Sequence, residues 1–78
     1  MDRAEILEKV VDLVSDTLEV ESDKIDETSR FDALGADSFD LLELVTAFED
    51  EFGLTMDDDS LEQIETIGDA VDAIENAQ

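Results

Sequence analysis

Histidine, cysteine, tyrosine and proline are absent from this 78-residue sequence, and cations are scarce. Without cysteine there is no disulfide and no thiolate chemistry, and folding is indifferent to redox compartment. Without histidine, cysteine or tyrosine the usual bases and activated nucleophiles are missing, so no Ser or Thr hydroxyl has an imidazole to deprotonate it. No apolar run reaches the roughly 18 residues of a membrane span, and the N-terminus lacks the basic start and apolar stretch of a secretory signal. A soluble, cytoplasmic protein is the expectation. The length allows one domain, residues 1–78, with one small core and no room for a deep active site beside a separate binding domain.

Charge of one sign is what the chain has in excess. Asp and Glu number 25 against four Lys and Arg, so the formal charge is −21. Nucleic acid and anionic membrane surfaces are therefore poor partners, because their phosphates would be repelled rather than neutralised, and no nucleic-acid partner is expected. Arg3, Lys9, Lys24 and Arg30 all lie in the first 30 residues, leaving residues 31–78 with 15 carboxylates and no cation. That stretch cannot neutralise itself internally. Its self-repulsion lowers stability at low salt, and the same field speeds encounter with basic partners. The 42% hydrophobic content, regularly spaced, argues for a packed fold rather than disorder.

Helical periodicity organises most of the chain. Ile6, Leu7, Val10, Val11, Leu13, Val14 and Leu18 recur at spacings of three and four, which predicts a helix over 3–18, with Asp2 and Glu5 able to form a capping box. From Val20 to Asp37 the period is lost, and Ser, Asp, Thr and Gly predict a long loop pinned by Ile25, Phe31 and Leu34. A second helix is predicted over 38–52, stopped by Gly53, with Leu41, Leu44, Val45, Phe48 and Phe52 facing the core. Phe39 falls off that stripe and should point at solvent or a partner, whereas Leu42 borders it. A short helix over about 58–64 and a last one over 67–76, capped by Thr66 with Ala70, Val71 and Ile74 inward, complete the pattern. With no internal repeat and no strand-like alternation, the expected fold class is all-α: a small four-helix bundle of three longer helices and one short one, with a long loop between the first two.

Few residues could carry chemistry. Paired carboxylates such as Asp40 and Glu43 could act as acid and base only in a desolvated cleft, so a solvated acidic face is the better reading. The run Asp57-Asp58-Asp59 suggests calcium, but counting from Asp57 an EF-hand would need Gly at the sixth position and Glu at the twelfth, where Glu62 and Gly68 stand. Diffuse, weak association of divalent cations is expected instead, with no dedicated metal site. Ser38, at a helix start, is by default an N-cap. Asp37 is an equally good cap, with Asp40 three residues on, which leaves Ser38 available, and a helix N-terminus favours an attached phosphodiester.

Gly35-Ala36-Asp37-Ser38, followed by Asp40, Glu43-Leu44-Val45 and Glu49-Asp50-Glu51-Phe52-Gly53, resembles the prosthetic-group motif and second helix of acyl carrier proteins. The resemblance covers almost the whole chain. It implies that a phosphopantetheinyl transferase attaches 4′-phosphopantetheine from coenzyme A to Ser38, beside Asp37, and that acyl groups travel as thioesters on a non-catalytic, monomeric shuttle. By the same resemblance Asp37, Asp40 and Glu43 meet the transferase and other enzymes. Glu49, Asp50, Asp58, Asp59 and Glu62 fall on acidic recognition positions facing basic patches of synthase enzymes, with Phe39, Leu42 and Thr46 as the less polar contact. Phe31, Leu44, Phe48, Met56, Leu61, Ile64 and Ala70 are the implied acyl pocket.

Four residues depart from the family pattern in ways that bear on cargo. Phe39 replaces the usual leucine, Phe48 and Leu61 are larger than expected beside the pocket, and Asp57 stands where proline is common. Extra volume should weaken sequestration of long acyl chains. Fatty acid biosynthesis is the favoured setting. The alternatives are a polyketide, peptidyl or aminoacyl carrier and, in a different class, an unmodified acidic module that occupies a basic groove.

Overall fold

The computed structural model describes residues 2–56 and 58–77, with the side chains of Asp58, Ser60 and Leu61 outside the described set. Among the described residues there are four α-helices and no strand: α1 (Arg3–Leu18), α2 (Ser38–Phe52), α3 (Asp58–Gln63) and α4 (Ile67–Ala77). The all-α, four-helix expectation holds. The short helix closes one residue earlier than its periodicity suggested, because Ile64 leaves the helix and is buried, and the last helix runs one residue further.

Local chemistry sets the helix ends. The Asp2 carboxylate accepts the Glu5 amide at 2.9 Å, the forward half of the anticipated box, and α1 ends at Glu19 in the left-handed region, φ 57°. At α4 the Thr66 hydroxyl accepts the Asp69 amide while the Asp69 carboxylate accepts the amides of Thr66 and Glu65, each at 3.1 Å. Both arrangements satisfy amides that a helix start leaves unpaired.

α1 packs against both α4 and α2. Its stripe narrows to Ile6, Val10 and Val14, one residue per turn and fully buried, with Leu7, Val11, Leu13 and Leu18 as half-buried flanks. Leu44, Val45 and Phe48 of α2 and Ile67, Ala70, Val71 and Ile74 of α4 complete the core. Burying one such aliphatic side chain contributes about 1.5–3 kcal/mol, so this layer carries most of the stabilisation.

The connection between α1 and α2 is far from slack. It contains a single 3-10 turn at Ser22–Lys24, and Ile25 and Phe31 are buried as pins. Three backbone hydrogen bonds tie it to the segment entering α4: Phe31 N–H to Glu65 C=O (3.0 Å), Ile67 N–H to Ser29 C=O (2.9 Å) and Gly68 N–H to Glu27 C=O (2.8 Å). Gly68 permits this close approach, since a Cβ there would lie 3.0 Å from the Glu27 carbonyl oxygen and the backbone would have to shift by a few tenths of an ångström. The loop is thereby held against the start of α4.

Candidate functional site

The N-terminus of α2 is built by a reciprocal cap. The Asp37 carboxylate accepts the Asp40 amide at 2.9 Å, and the Asp40 carboxylate accepts the Asp37 amide at 3.3 Å. Immediately before it, a turn stacks the Leu34, Gly35 and Ala36 amides onto the carbonyls of Arg30, Phe31 and Asp32, with Gly35 at φ 92° supplying the reversal. Ser38 is therefore the first residue of the helix proper, and its capping duty is already discharged by Asp37. Its side chain is exposed, and among the described residues its hydroxyl has no hydrogen-bond partner. An exposed, unengaged hydroxyl at a helix start fits an attached phosphodiester: the oxygen is accessible, and unpaired amides with the helix macrodipole favour the anion.

Beside Ser38 lies an open cleft of about 370 Å³. Phe31, Ala36, Leu41 and Ile64 form its apolar wall. Arg30, Asp32, Asp37 and Glu65 form its charged rim. Arg30 reaches Asp32 at 3.2 Å and Glu65 at 3.8 Å. The hydrogen bond from Arg30 holds the Asp32 carboxyl below the ordinary carboxylate range, and Asp32 in turn holds the guanidinium firmly charged.

The side chains proposed to line an acyl pocket fall into two groups. Phe31 and Ile64 border the cleft, whereas Leu44, Phe48, Met56 and Ala70 are buried in the common core. The Leu61 side chain lies outside the described residues. Leu41, expected in the core, and Ala36, expected only as part of the motif, line the cleft, and so does Arg30, which the sequence marks only as one of four cations. The loop turn places Arg30 and Ala36 there, and no periodic signal could have found it.

On the outer face of α2, Phe39 is 79% and Leu42 52% exposed, with Thr46 exposed one turn further. Asp37, Glu43 and Asp50 are exposed around them, Asp40 is half-buried, and Asp59 and Glu62 are exposed on α3. The Asp58 side chain lies outside the described set. Glu49 differs from its neighbours: it is half-buried and accepts the Met56 amide at 2.9 Å, so it also holds the chain leaving α2. No helix is long and apolar enough to cross a membrane, and among the described residues no metal-ligating cluster forms.

Residues 8–74 match the family model described as a phosphopantetheine attachment site. The acyl carrier protein of Sinorhizobium fredii is 50% identical over 76 residues, covering 96% of this chain and 97% of its own length. That of Lactobacillus acidophilus is 46% identical over 79 residues, covering 100% and 99%. Among solved structures, the acyl carrier protein of Thermotoga maritima superposes with a TM-score of 0.85 at 32% identity, over 99% of this chain and 91% of that one. That of Enterococcus faecalis gives 0.83 at 39% identity over the whole of both chains.

Proposed function

Because the chain belongs to the acyl carrier protein family, non-catalytic carriers of 4′-phosphopantetheine, we propose that Ser38 is its attachment point and that the acyl groups it carries are those of fatty acid biosynthesis. The observation that supports Ser38 above all is its hydroxyl: exposed, first in α2, and spared from capping by the Asp37–Asp40 pair. When bound, the group supplies the thiol this chain lacks and carries acyl chains on it as thioesters. The chain's own residues present and position the serine. With no histidine anywhere, they do not activate it, so the base must come from the transferase.

Asp37, Asp40, Glu43, Asp50, Asp59 and Glu62 form the anionic surface that meets basic patches of the transferase and synthase enzymes. Phe39, Leu42 and Thr46 supply its apolar contact. Electrostatic steering across such a face gives fast, salt-sensitive association and easy exchange between partners. The whole chain acts as one monomeric domain in the cytoplasm. Long acyl chains enter poorly, because Leu44, Phe48 and Ala70 are closely packed and must part to admit them.

Intact-mass measurement after incubation with a phosphopantetheinyl transferase and coenzyme A tests the reading. The wild type should gain one phosphopantetheine and Ser38→Ala none. An unmodified wild type, under conditions that load another carrier, would refute it.

A further inference from the structure

Of the four cations, Arg30 is the only one that lines the cleft beside Ser38. A guanidinium has five N–H donors. Two are committed here, both to Asp32 and both long, Nε at 3.2 Å and Nη2 at 3.4 Å, while Glu65 at 3.8 Å is beyond hydrogen-bond reach. Five minus two leaves three donors without a partner among the described residues, on a side chain that borders Phe31 and Ile64. The cleft is thus apolar on one side and offers spare hydrogen-bond donors on the other.

Beyond the carbonyl that every acyl cargo shares, a saturated chain entering such a cleft displaces water from the guanidinium and returns no further acceptor along its alkyl part, which weakens binding. A chain with an oxygen in reach replaces that water. Asp32, Asp37 and Glu65 on the same rim repel an anionic cargo, so the oxygen must be neutral. We propose that Arg30 makes this cleft selective for acyl groups bearing a neutral β-oxygen, a ketone or hydroxyl, over saturated chains of equal length. The inference rests on Ser38 being the attachment point. Tethering there presents the cargo at high local concentration, so a weak preference is expressed. A difference of about three- to tenfold in the docked fraction is expected, below the usual range for a charged hydrogen bond because Arg30 stays largely exposed.

NMR on the loaded chain decides it. Octanoyl and β-keto-octanoyl groups are attached through stable amide linkages, with the unacylated, phosphopantetheinylated chain as reference. The Arg30 Nη–H resonances, which include the three unpartnered donors, should move with the β-keto cargo and stay at the reference position with octanoyl. In Arg30→Leu, which leaves the backbone bond from Leu34 N–H to the residue-30 carbonyl in place, octanoyl should become the better perturbant of the Phe31 and Ile64 amides. An Arg30 resonance that ignores the β-keto group, that already shifts fully in the unacylated reference, or that responds equally to both cargoes would overturn the proposal, as would an unchanged ranking in Arg30→Leu. Should that variant fail to fold, the wild-type spectra decide alone. Failure of the Ser38 reading would appear earlier, as absence of the mass gain.

Discussion

Along the seam between α1 and α4, Arg3 gathers Glu27 at 2.5 Å, Asp72 at 2.6 Å and also Glu75, while on the outer face of α2 the carboxylates of Asp37, Asp40, Glu43 and Asp50 have no cation partner among the described residues. Lys9 likewise spans from α1 to Glu51 at 3.0 Å, at the far end of α2 from Ser38. Three of the four cations join the first 30 residues to the cation-free remainder, and only Lys24 stays local, with Glu21. Scarce positive charge is thus spent where helices must be held together. The outer face of α2 keeps its field unscreened by any ion pair among the described residues, and a basic partner can complete it.

The first way to break this contrast is through packing. Ile74→Ala, in the seam, should cost about 2–5 kcal/mol in chemical denaturation, enough to unfold much of a chain this small. Leu42→Ala, on the face, should stay within about 0.5 kcal/mol of wild type yet weaken binding to a synthase enzyme. Equal losses of stability would mean that Leu42 belongs to the core.

Salt comes next. Raising ionic strength from about 0.01 M to 0.15 M shortens the screening length from about 30 Å to 8 Å, which should raise the melting temperature by relieving repulsion among 25 carboxylates. The same change should slow association with basic partners. A melting temperature that ignored salt would contradict both.

The third test sets one charge against another. Arg3→Gln leaves Glu27, Asp72 and Glu75 facing one another and should lower the denaturation midpoint, more at low salt than at high. Glu43→Gln removes one repelling charge from the unpaired face and should leave the midpoint unchanged or slightly raised, while slowing partner association. Only Arg3→Gln should therefore lower stability.

How much of this could be seen in the sequence divides along the same line. The bounds of α1 and α2 and the Asp37–Asp40 cap rest on neighbours three or four residues apart, and the structure reproduces them. The seam does not: Arg3 meets Asp72 across 69 positions, and the loop is held by carbonyls and amides that no side-chain pattern encodes. Leu44, Phe48 and Ala70 are buried in the core rather than on the cleft that Phe31 and Ile64 border, and apolar character alone does not distinguish those two settings. Arg30 and Ala36 reach that cleft only through the turn at Gly35.

The smallest effect concerns the loop that joins the two regions. Asp26 accepts the Thr28 hydroxyl at 2.6 Å and the Thr28 amide at 2.9 Å, and these bonds, with weaker help from Ser29, hold its carboxyl below the ordinary 3.8. A carboxyl with a lowered folded-state pKa adds stability that is fully present above its unfolded value and is lost as pH falls through the folded one. Asp26→Asn, which keeps one acceptor but not the charge, should therefore be slightly less stable than wild type at pH 7. The gap should begin to close only below about pH 4 and vanish in stronger acid, read as paired denaturation midpoints at constant ionic strength. A gap that persisted at low pH would assign the loss to the altered turn rather than to the carboxylate. Because the loop is fastened to α4 at Ser29 and Glu27, loosening Asp26 should also speed exchange of the Ile67 and Gly68 amides, while those of α2 stay protected.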